Sequence, residues 1–77
     1  MLGERIRNAR KAKGFKLGDL AEITELSSSY ISQLERGLIE PSLTSLRKIS
    51  NALNIPIYLL MDDVSKENNQ NQFLFFF

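Results

Sequence analysis

Residues 17–37 read LGDLAEITELSSSYISQLERG, and the spacing of their apolar members decides the architecture. Leu17, Leu20 and Ala21 recur at helical intervals, and so do Ile31 and Leu34. Between the two runs stand only Thr24, Glu25 and Leu26, followed by Ser27. Ser27 is the predicted N-cap of the second helix, its hydroxyl accepting from a backbone N–H that has no helical partner. Gly37 stands where that helix needs a left-handed residue to stop. The small Ala21 lets the second helix cross the first closely. A turn this short forces a sharp crossing and leaves the outer face of the second helix projecting from the surface.

Working outward, the same pattern continues on both sides. Leu2, Ile6 and Ala9 predict a helix over residues 2–13, with Arg5, Arg7, Lys11 and Lys13 facing out. Gly14 ends it, and Phe15 follows as a core anchor. Downstream, Ser42 caps a fourth helix carrying Leu43, Leu46, Ile49 and Leu53 inward, with Asn54 at its C-terminus. Pro56 opens a short fifth helix over residues 57–61. No strand pattern appears before residue 62. The chain is therefore expected to be all-α, with five short helices in one domain at residues 1–61.

Composition narrows what such a domain does. With 77 residues, the chain is a small domain that buries only about 60% of the surface its unfolded form exposes. Cysteine and histidine are both absent, which removes disulfides, thiolate or imidazole metal sites and a histidine base. No metal or cofactor is expected, and with no nucleophile–base pair evident the chain is not expected to be an enzyme. The net charge of +1 hides a segregation. Arg5, Arg7, Arg10, Lys11, Lys13 and Lys16 face Glu4 alone in residues 1–16, whereas Asp19, Glu22, Glu25, Glu35 and Glu40 outnumber Arg36 in residues 17–40. Such asymmetry suits an anionic partner approached from one side, or simply a solvated basic helix face. No apolar run is long enough to span a membrane and no signal peptide opens the chain, so a cytoplasmic protein without membrane attachment is expected.

The projecting second helix carries Ser28, Ser29, Tyr30, Ser32 and Gln33 near its start. All can donate or accept hydrogen bonds, and a helix so presented fits the major groove of DNA, about 12 Å wide. Periodicity alone equally allows a polar face on an ordinary small bundle. The wider pattern separates the two. Ile6, Arg10, Gly14, Leu20-Ala21, Leu26-Ser27, residues 31–37 (ISQLERG), Pro41-Ser42, Leu46, Ile49, Leu53 and Ile55 together resemble the phage repressor/Cro-type helix-turn-helix superfamily, the XRE family. The resemblance covers residues 2–61. It is strongest to the DNA-binding domains that precede a cupin sensor and to short biofilm- and sporulation-type repressors.

The resemblance implies a lambda-repressor-like fold and sequence-specific binding to double-stranded DNA, as a homodimer on a palindromic operator and in the role of a repressor. Ser28, Ser29, Ser32 and Gln33 match base-contacting positions, with Gln33 the candidate for bidentate readout of adenine. Arg5, Ser27, Tyr30, Arg36 and Thr44 match backbone contacts, which set register rather than sequence. Ser42 is a pure cap. Arg10 and Glu35 match a structural ion pair tying the first helix to the end of the third. A different class remains open: a protein-interaction module, such as an antitoxin, or a helix-turn-helix domain whose DNA contacts have decayed.

Two residues depart from the family pattern. Lys16 replaces the usual Ser or Thr cap of the second helix, a loss of ~1 kcal/mol. Glu25 stands where the turn commonly holds glycine, costing roughly 1 kcal/mol if the backbone is left-handed there. Residues 62–72 are polar and read as a linker or tail. Phe73, Leu74, Phe75, Phe76 and Phe77 then end the sequence with a run that water does not favour. That run either docks on the domain, pairs with a second subunit, begins a missing strand, is disordered, or marks a truncated end at which a lost sensor or dimerisation segment starts.

Overall fold

The computed structural model describes residues 2–61. They form α1 (Leu2–Ala12), α2 (Leu17–Thr24), α3 (Ser28–Glu35), α4 (Leu43–Leu53) and α5 (Ile57–Leu60). The expected tail lies outside the described residues. Among those residues the architecture is all-α, as the periodicity requires.

The helix ends follow from local chemistry. Ser27 accepts from the Tyr30 amide at 3.0 Å, and Ser42 accepts from the Ser45 amide at 3.1 Å. Lys16 has no side-chain oxygen to offer α2, but Asp19 reaches back and accepts from the Lys16 amide at 2.8 Å. One arm of a capping box is thereby kept. Three helices close with the same double bond pattern. Gly14 donates to Lys11 and Phe15 to Arg10; Gly37 donates to Leu34 and Leu38 to Gln33; Asn54 donates to Asn51 and Ile55 to Ser50. Each needs a left-handed residue, supplied by Gly14, Gly37 and Asn54 with φ of 78°, 77° and 58°.

The end of α2 is built differently. Glu25 takes the left-handed conformation with φ 64°, the strained position anticipated for it. The turn is closed by the buried Thr24, whose hydroxyl donates to the Leu20 carbonyl at 2.7 Å. The same oxygen accepts from the Leu26 amide at 3.3 Å. A side-chain oxygen thus serves both flanks of a turn that lacks glycine.

Ile6, Leu20, Ile31, Leu34, Leu46, Ile49, Leu53 and Leu60 form one buried cluster, with Leu2, Ala9, Phe15, Leu17, Ala21 and Leu26 among the residues packed around it. α1 packs on α3, α2 on α3 and α4, and α5 closes the far side against α1 and α4. Leu43 departs from expectation: it is 59% exposed rather than part of the α4 stripe. As the first helical residue it sits where α4 has not yet reached the core, and the buried face runs instead through Ser45, Leu46, Ile49, Ser50 and Leu53. In α5 the inward residue is Leu60, while Tyr58 and Leu59 face out.

Candidate nucleic-acid interface

α3 turns about 100° per residue, which spreads Ser28, Ser29, Ser32, Gln33 and Arg36 over roughly 140° of its circumference. Ile31 and Leu34, on the opposite side, are buried. Ser28 and Ser29 are exposed; Ser32 and Gln33 are half-buried. The structure therefore brings the four residues matched to base contacts onto one outward surface. It is polar, uncharged and built of short side chains, except for Gln33.

Residues matched to backbone contacts are more scattered. Ser27 and Thr44 are exposed at the starts of α3 and α4, and Arg36 is exposed just past the end of α3. The Ser27 oxygen accepts from Tyr30, so its proton stays available to an outside acceptor. Arg5 is half-buried on α1. Tyr30 points to the α4 side of α3, and its hydroxyl donates to the Ser45 oxygen at 3.1 Å. Ser42 donates to the same oxygen at 3.0 Å. The Tyr30 hydroxyl, expected from the sequence at the DNA backbone, is thus committed to joining α3 to the first turn of α4. Ser42 has two roles, as cap and as part of this hydroxyl chain.

Orientation of α3 is set from its other end by Arg10. The guanidinium makes a fork to Glu35, Nε to Oε2 at 2.7 Å and Nη2 to Oε1 at 3.0 Å. Its remaining nitrogen Nη1 donates to the Phe15 carbonyl at 2.9 Å. The two side chains are 10% and 6% exposed. The hydrogen bond that Arg10 donates to Glu35 raises the Arg10 pKa against the opposing effect of burial, so the guanidinium is held charged. One side chain thereby ties α1, the α1–α2 turn and the end of α3 together.

Two supports were not singled out in the sequence. Gly3 lies against the end of α3 so closely that a Cβ there would be 2.5 Å from the Leu34 carbonyl oxygen and 2.6 Å from that of Glu35. A glycine inside the first turn of a helix, with no turn to make, is the available signal for such an approach. Thr24 is the other, and a threonine hydroxyl bonding back along its helix is a known competitor for backbone groups. Glu25, whose charge would oppose DNA if it lay beside α3, instead lines a groove with Ile23, Thr24, Lys48, Asn51 and Ala52 between α2 and α4. Among the described residues no cluster of three carboxylates, thiols or imidazoles comes together to hold a metal.

A family model described as helix-turn-helix matches residues 6–60, from the middle of α1 to the end of α5. The chain belongs to the helix-turn-helix family. It is 41% identical over 64 residues to the HTH-type transcriptional regulator SinR of Bacillus subtilis, covering 82% of this chain and 58% of that protein. The chain thus spans little more than half the length of this relative. A crystal structure of the biofilm regulator SinR in complex with DNA superposes with a TM-score of 0.76 at 40% identity, over 79% of this chain and 98% of that one. The restriction-modification controller protein C.AhdI of Aeromonas hydrophila gives 0.74 at 37% identity, over 77% and 89%.

Proposed function

We propose that this chain is the DNA-binding part of a transcriptional regulator, a repressor, that lays α3 in the major groove of double-stranded DNA. The observation that carries this reading is the outer surface of α3: uncharged hydrogen-bonding side chains on a helix oriented from both ends, by Tyr30–Ser45 and by Arg10–Glu35. SinR, a family relative, has been crystallised with DNA, which supports the same partner here. Gln33 reads an adenine edge, while Ser28, Ser29 and Ser32 make tolerant contacts to bases. Ser27, Thr44, Arg36 and Arg5 hold phosphates. Two copies bind a palindromic operator with their α3 helices about one DNA turn, ~34 Å, apart. Tyr58 and Leu59, apolar and exposed on α5, are the surface offered to the second copy.

Selection of the purified chain on a random duplex library tests this. The expected product is a two-fold symmetric motif bound with an affinity that falls steeply as salt rises. Gln33→Ala should relax one base position per half-site, by ~1–3 kcal/mol of discrimination. Absence of any enriched motif, together with salt-insensitive binding, would refute the proposal.

A further inference from the structure

Beside the outer face of α3, on its α1 side, lies a concavity of about 230 Å³ lined by Arg7, Arg10, Leu17, Ser32, Glu35 and Arg36. Its charges are unequally used. Arg10 and Glu35 are bonded to each other and largely buried, which makes the floor neutral and rigid. Arg7 and Arg36 are exposed on the rim, and neither forms an ion pair with another described residue. Glu35 is the sole carboxylate in the lining and Arg10 occupies it. The rim therefore carries two positive charges with no partner among the described residues, and Ser32, one of the outward residues of α3, shares the lining.

We infer that Arg7 and Arg36 form a two-armed clamp for a single backbone phosphate of the bound duplex. This rests on the DNA-binding reading above and adds Arg7, a residue that the family resemblance did not assign. The geometry follows from widths. A helix about 10–12 Å across fills a major groove about 12 Å wide, so whatever flanks it meets a phosphate backbone on each side. Ser27 and Thr44 flank α3 near its start; Arg7 and Arg36 flank it toward its end, on the α1 side. Ser32 faces both the bases and the concavity, so a strand contacted at Ser32 runs past the rim. Arg5, the α1 cation matched from sequence, does not line the concavity. Two guanidinium groups suit a phosphodiester, whose two free oxygens accept charge-assisted bonds from separate donors.

The test uses the full 77-residue chain and the duplex recovered by library selection. Its probes are the parent chain, Arg7→Ala, Arg7→Lys and Arg36→Ala. Each operator phosphate is replaced in turn by an uncharged methylphosphonate. Arg7→Ala is expected to weaken all sequences alike, on the order of tenfold, and to lower the salt slope by about 0.9. Arg7→Lys should restore part of the affinity. One methylphosphonate position should weaken the parent chain most and should weaken Arg7→Ala and Arg36→Ala less, because each keeps one arm, and it should be the same position for both. Unchanged affinity and slope in Arg7→Ala, with the parent still binding, would overturn the clamp and leave the DNA-binding reading standing. So would a reduced response at different positions for the two arginines. A parent chain that shows no salt-dependent duplex binding would overturn both. Circular dichroism melts of the variants show whether a loss of affinity comes from unfolding.

Discussion

Gly3→Ala sets two effects of opposite sign against each other. Alanine is the better helix former by up to about 1 kcal/mol, so on propensity alone the substitution stabilises α1. The added Cβ, however, would be 2.5 Å from the Leu34 oxygen and 2.6 Å from the Glu35 oxygen, where ordinary contact begins at 3.4 Å. Both obstacles are backbone, so neither can rotate aside; α1 must lift from the end of α3 by about 0.9 Å, the difference between 3.4 and 2.5. Overpacking of this kind costs ~1–3 kcal/mol. Arg10 lies about two turns further along α1, and lifting the helix stretches its bonds to Glu35. The net expectation is a loss of about 1–2 kcal/mol, with a melting temperature lower by ~4–8 °C for each of them. Gly18→Ala is the internal control, because nothing lies within 4 Å of a Cβ built there on α2. It should stabilise by up to about 1 kcal/mol. Urea and thermal unfolding followed by circular dichroism separate the two. If Gly3→Ala stabilised the chain as much as Gly18→Ala, the close seating of α1 on α3 would be refuted.

Glu25→Gly relieves a left-handed residue and should raise stability by about 0.5–1 kcal/mol, the gain being limited by the freer unfolded chain; an unchanged or lower melting temperature would show that Thr24 already removes the strain. Arg10→Ala or Glu35→Ala alone should cost ~3–5 kcal/mol by stranding a charge, whereas Arg10→Met combined with Glu35→Met should recover most of the loss. A double mutant as unstable as either single would argue against that account. The Arg10 pKa is raised, so this contribution is complete below the ordinary arginine range and is lost only as pH climbs through the folded value. A melting temperature followed from neutral to mildly alkaline pH should therefore show no transition due to Arg10.

Much of the scaffold was legible because it depends on residues with one job. Gly14, Gly37 and Asn54 stop helices, Ser27 and Ser42 start them, and Leu20, Ile31, Leu34 and Ile49 recur at helical spacing; each acts within a few positions of itself. What escaped depends on partners distant in sequence. Leu43 has the spacing of a core residue, but whether the first turn of a helix reaches the core is decided by where the preceding loop delivers it. The Tyr30 hydroxyl finds Ser45 across two helices, and a family position gave no hint that its proton was used internally. Gly3 is small because of the end of α3, more than thirty residues away in sequence. The outer face of α3 was recognisable as a surface, and Arg7 was not, since one exposed arginine among six basic residues near the N-terminus looks like any other until the fold brings it to the same concavity as Arg36.

The eight residues of α3 divide into those that hold and those that are free to change. Tyr30, Ile31, Leu34 and Glu35 are engaged by α4, the core and α1. Ser28, Ser29, Ser32 and Gln33 lend no side-chain hydrogen bond to any described residue. Variation at those four positions therefore breaks none of the side-chain hydrogen bonds that hold the described residues together. On the proposed DNA-binding reading, a lineage duplicating this gene could move its copies to new operators in single steps without breaking the ties that hold α3. The same four positions form a ready cassette for grafting: they can be randomised together while the remainder of the chain is left alone.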